Sequence, residues 1–163
     1  MLVLVLAFLG GVLTKLGILS KPEIESRFHI RLERYVKDML IEIHTLEEIV
    51  DTMILPASFS YLASLTRSAA DAKAAGVKPV PQLDAANAIS ELIQQLQTRR
   101  SALGKVSAKA EGMHDELEAQ AKLLTSEGAD RMADVRETSD ALELVVSDDL
   151  WPLPKYREML FPL

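Results

Sequence analysis

Residues 89–124 read ISELIQQLQTRRSALGKVSAKAEGMHDELEAQAKLL. Within this stretch Ile89, Leu96, Leu103, Ala110, Leu117 and Leu124 recur every seven residues, and Leu92, Val106 and Met113 hold the complementary positions. A seven-residue apolar repeat lays one stripe down one side of a helix, the pattern of a helix seated on neighbours in a bundle or coiled coil. A strand would alternate by two, and no such alternation is present. Arg99 and Gln120 are polar exceptions in the stripe. Gly104 and Gly112 lie inside it, each costing about 1 kcal/mol relative to Ala, which predicts local bending there.

Upstream, Leu32, Val36, Met39, Ile43, Leu46, Val50, Met53 and Ala57 alternate steps of four and three, a second helical stripe. Ser20-Lys21-Pro22-Glu23 supplies a capping box at its start. Pro56 removes one hydrogen bond and kinks the helix without ending it, because Tyr61 and Leu65 continue the pattern. Gly76 suits the position after a helix C-terminus, and Val77 to Pro81 forms a short linker. Downstream, the chain is expected to turn around Ser126 to Gly128. A third stretch then carries Met132, Val135, Leu142 and Val146 before Ser147-Asp148-Asp149 stops it. The expected fold is all-α: amphipathic helices over about residues 21–75, 82–125 and 129–147, packed as an antiparallel bundle. An extended tail over 148–163, with Trp and two prolines, follows them.

A chain of 163 residues suffices for one domain with a real core. Its residues are 48% hydrophobic but only 5% aromatic, a balance that suits helices better than strands. The net charge of −6 repels nucleic acid unless a basic patch intervenes. Arg99-Arg100 with Lys105 and Lys109 is spread along a helix without interleaved aromatics and reads as a solvated face, so no nucleic-acid partner is expected. Absence of Cys removes disulfides, thiol catalysis and cysteine-based zinc sites, in keeping with a cytoplasmic setting.

Residues 1–16 are expected to form a separate apolar N-terminal helix, read as the scar of a truncation or as an anchor. Met1 to Leu13 is uncharged, yet it falls short of the roughly 20 apolar residues of a spanning helix and has neither a basic start nor a small-residue cleavage site. A membrane is therefore not the expected partner. A membrane-tethered bundle of the sensor or coiled-coil type is the alternative to the reading developed below.

Catalytic chemistry finds little purchase. Glu111 and His114 make one Glu-x-x-His pair, whereas a di-iron bundle needs two such pairs and further carboxylates. His29, four residues after Glu25, and His44, near Glu42, Glu47 and Glu48, read as helix-surface pairing. No phosphate loop, dinucleotide fingerprint or nucleophile elbow occurs, so no catalytic, cofactor-binding or metal-binding residue is assigned. The candidates for protein packing are Leu96 and Leu103 in the main stripe and Trp151, Tyr156 and Phe161 in the tail, which is costly to leave in water.

Three blocks carry a specific resemblance. Gly17-Ile18-Leu19-Ser20 through Glu25-Ser26-Arg27-Phe28, with Leu32-Glu33-Arg34-Tyr35 and Ile41-Glu42, comes first. Met53-Ile54-Leu55-Pro56-Ala57 with Tyr61 is second, and Asp148-Asp149-Leu150-Trp151-Pro152-Leu153-Pro154-Lys155-Tyr156-Arg157-Glu158-Met159-Leu160-Phe161 is third. In order and approximate spacing they resemble the C-terminal region of type III glutamine synthetases, over about residues 15–163. Met1 to Gly11 falls outside the resemblance, and Leu62 stands where the family has Gln. The resemblance implies a non-catalytic helical domain of an enzyme that makes glutamine from glutamate, ammonia and ATP with magnesium. ATP and magnesium would be bound elsewhere in that enzyme. The partners implied are the catalytic region and neighbouring subunits of a homo-oligomer.

Overall fold

Ser20 turns the chain helical. In the computed structural model, which describes residues 12, 14, 16–113 and 116–154, a capping box opens helix α1 (Lys21–Ile49). The Glu23 carboxylate accepts the Ser20 backbone N–H at 2.8 Å and the Ser20 hydroxyl at 2.7 Å. The hydroxyl first and the backbone N–H second hold Glu23 below its ordinary carboxylate range.

Helix α1 passes through a π turn (Val50–Ile54) into α2 (Leu55–Ala74). Pro56 accounts for that turn. Its ring crowds the carbonyl four residues back and it has no N–H to donate. Widening the helix just ahead of it, with the Leu55 N–H reaching the Val50 carbonyl, makes room without breaking the rod. The extra residue rephases the stripe: Val36, Ile43 and Val50 are buried as their spacing expects, but the deepest positions beyond are Ile54 and Ser58, not Met53. At the far end Gly76, with φ +77°, donates to the Lys73 carbonyl at 3.1 Å while Val77 donates to Ala72 at 2.9 Å. These paired bonds satisfy carbonyls that a helix C-terminus leaves open.

Helix α3 (Val80–Glu111) runs back antiparallel as the centre of the bundle. Ile89, Leu96, Leu103 and Ala110 are at most 2% exposed. The expected helix over 82–125 is, however, two helices: α3 ends at Glu111 on Gly112, and α4 (Leu117–Leu123) begins afterwards. The expected turn at Ser126 to Gly128 is a second π turn (Leu124–Gly128) that leads straight into α5 (Ala129–Glu143). Thr125 and Ser126 lie in this turn and donate their hydroxyls to the Ala121 and Lys122 carbonyls, four residues back, at 2.7 and 2.9 Å. The heptad count runs through the break because Ala110, Leu117 and Leu124 all face one core; the pattern records burial, not continuity. Helix α5 ends at Glu143, short of 147, and Val146 is nonetheless buried through a turn whose N–H reaches the Leu142 carbonyl at 2.8 Å.

The result is an all-α bundle with no strand among the described residues. The helix Lys21–Ala74 contains an 18-residue window of mean hydropathy 1.3, long and apolar enough to cross a membrane, yet its stripe forms a wall of the core. Trp151 joins that core and Leu153 packs on it. Tyr156 and Phe161 lie outside the described residues, as do His114 and, apart from Val12, the apolar start Met1 to Leu13.

Leu103→Ala should therefore lower unfolding free energy by about 2–5 kcal/mol, and Glu118→Ala, on an exposed face, by no more than about 0.5 kcal/mol. Urea unfolding followed by circular dichroism measures both. Equal losses would contradict this packing.

Candidate functional site

The polar groups that approach one another lie on the seams between helices. Arg100, on α3, donates from Nε to Asp51 Oδ1 and Oδ2 at 3.1 and 3.0 Å and from Nη2 to Oδ2 at 2.6 Å. Its Nη1 stands 3.3 Å from Glu47 Oε1, a buried oxygen held as an ion pair without hydrogen-bond geometry. The Asp51 hydrogen bonds first, and the Glu47 charge after them, raise the Arg100 pKa above its ordinary value. Gly104 lies beside this pair. A Cβ there would come within 2.9 Å of Glu47 Oε1 and 3.0 Å of Arg100 Nη1, so the absence of a side chain leaves room for the contact.

Arg99 faces the other way. Its Nη1 donates to the Asp134 carbonyl at 2.7 Å, Glu137 Oε2 at 2.7 Å and Thr138 Oγ1 at 2.8 Å, joining α3 to α5. Adjacent residues on a helix diverge by about 100°, so one Arg-Arg pair grips two neighbours. The expectation of a solvated basic face at Arg99-Arg100 is thereby corrected. Gln120, the second polar exception, donates from Nε2 to the Ala110 carbonyl at 2.9 Å, at the end of α3 where carbonyls lose their helical partners. Both exceptions in the apolar stripe are ties between elements.

His44 is placed differently from the local pairing expected. His44 Nε2 meets Glu111 Oε1 at 3.3 Å, from α1 to the end of α3, instead of its neighbours in sequence. Glu25 pairs with Lys21 at 3.8 Å. Among the described residues no group of three or more His, Asp or Glu side chains is arranged to hold a metal ion. A shallow groove along α3, lined by Gln94, Gln97, Thr98, Ser101, Ala102 and Lys105, is open to solvent and uses one face of one helix. Chemically, these arrangements neutralise charge and tie helices together. Leu96 and Leu103 are fully buried inside the bundle, and Trp151 is 8% exposed. Sequence spacing missed Asp51, Glu47 and Arg100 as a unit because their contact spans helices far apart in the chain; Gly104 inside a helix was the one visible trace.

Replacing Gln120 with Leu should remove one of the two donors to the Ala110 carbonyl, the other being the Met113 N–H at 3.0 Å, and lower stability by about 0.5–1.5 kcal/mol. Gln97→Leu, on the exposed side of α3, should change it by no more than about 0.5 kcal/mol. Matched denaturation midpoints for the two variants would contradict the role given to Gln120.

Residues 10–73 match the family described as the glutamine synthetase C-terminal domain, a span that holds the first two sequence blocks and begins ahead of residue 15. The type-3 glutamine synthetase of Dictyostelium discoideum is 30% identical over 151 residues, covering 89% of this chain and 20% of the relative. The glutamine synthetase of Bacteroides fragilis is 28% identical over 151 residues, covering 88% of this chain and 20% of the relative. That of Butyrivibrio fibrisolvens is 29% identical over 152 residues, covering 92% and 22%. The chain thus spans about one fifth of the length of the curated relatives it matches. Over residues 10–73 the chain matches the glutamine synthetase C-terminal domain family, and over about nine tenths of its length it aligns with the C-terminal part of type-3 glutamine synthetases.

Proposed function

We propose that this chain is the non-catalytic C-terminal region of a type-3 glutamine synthetase, a cytoplasmic ATP-dependent ligase that joins ammonia to glutamate. Its task is to pack against the catalytic region and neighbouring subunits and so help to organise a homo-oligomer. One observation carries the reading: about nine tenths of the chain aligns with a fifth of each relative, at its C-terminal end. In this reading ATP and magnesium belong to the catalytic region, and no residue here is assigned to them.

The geometry supports a structural task. Interhelical ion pairs and the Gln120 tie consume polar groups inside the bundle, while Leu144 stands 86% exposed at its surface. Trp151, seated in the core, anchors the tail, and Tyr156 and Phe161 beyond it are proposed to dock on a neighbouring surface. The membrane-tethered alternative has no support from the relatives, which are synthetases.

The isolated chain, given glutamate, ammonia, ATP and magnesium, should form no glutamine. A type-3 synthetase that lacks the matching segment should elute as a smaller assembly in size-exclusion chromatography. Turnover by the isolated chain would overturn the non-catalytic assignment, and an unchanged elution volume would overturn the packing role.

A further inference from the structure

The hairpin tip between α2 and α3 carries an apolar surface that the bundle does not use. Within seven residues Val77, Val80 and Leu83 are 60%, 55% and 46% exposed. Gly76 at φ +77° closes α2, and Pro79 and Pro81 flank Val80. Two prolines restrict the backbone, so these side chains are presented with little conformational freedom left to lose on binding. Charges around the tip balance, Asp71 and Asp84 against Lys73 and Lys78. The tip therefore offers no cationic field for nucleic acid or an anionic lipid surface.

We propose that this tip is a knob that inserts into an apolar cleft on the catalytic region of the synthetase; the inference rests on the function proposed above. A second copy of this chain fits less well. A stable pair of copies needs about 800 Å² from each partner, and two convex tips of three apolar side chains each fall short of that. A knob on a domain already held in the same assembly needs far less area, because its effective concentration is high. About four fifths of the relatives' length lies outside the region this chain matches, which supplies a large surface for the cleft.

The absence of cysteine makes a direct test possible. Leu83→Cys carries a benzophenone-maleimide photocrosslinker, and Thr98→Cys, on the open groove of α3, serves as control. Each is expressed with the catalytic region of the type-3 synthetase from the same genome and irradiated. The label at 83 should crosslink to the catalytic region and the label at 98 should not. The double variant Val80→Lys/Leu83→Lys should weaken the complex about tenfold or more with an unchanged circular dichroism spectrum. Crosslinks from 83 only to a second copy would overturn the knob, as would a complex that forms without crosslinking at 83 and tolerates the double variant. Failure of any complex to form would instead overturn the proposed function, and the knob with it.

Discussion

Arg100 binds carboxylates from successive turns of the long helix, Glu47 and Asp51, and a guanidinium held in that way permits one offset between two antiparallel helices. Sliding α3 by one turn, about 5.4 Å, would carry the fork past both partners and leave the buried Glu47 oxygen unpaired. With this offset set, Gly104 lies beside the ion pair, Glu111 reaches His44, and Arg99 turns toward α5. The ion pairs are partly open to water and add little net stability. Stability comes from the apolar core of Ile43, Val50, Leu96, Leu103, Leu124 and Leu142, which the offset brings together.

Much of this architecture is legible from spacing alone. The stripe from Ile89 to Leu124, the capping box at Ser20 and Glu23, and the helix end at Gly76 each depend on local rules, and each appears in the structure. The misses share a cause. A heptad count measures which side of the chain is buried, so it ran unbroken across the interruption after Gly112. Ser126 to Gly128 resembles a turn by composition, but the hydroxyls of Thr125 and Ser126 bond back into the helix instead. Arg99 and Arg100 looked like solvated charge because their partners, Glu137 and Asp51, are distant in sequence. Pro56 announced a distortion, although its form, a π turn that shifts burial from Met53 to Ile54, follows from packing as well as from the proline.

Function was legible through the family blocks and not through chemistry. Among the described residues no group of three or more His, Asp or Glu side chains is arranged to hold a metal ion, and Arg99, Arg100 and Gln120 are engaged in tying helices together. What is left for other molecules is surface, at the hairpin tip and at Leu144.

Purification from native cells with an antibody raised against the bundle tests the central claim most directly. The account predicts that the catalytic region of a glutamine synthetase comes with it, joined in one polypeptide or held in one complex. Recovery of the bundle alone, or with no synthetase sequence, would contradict the account.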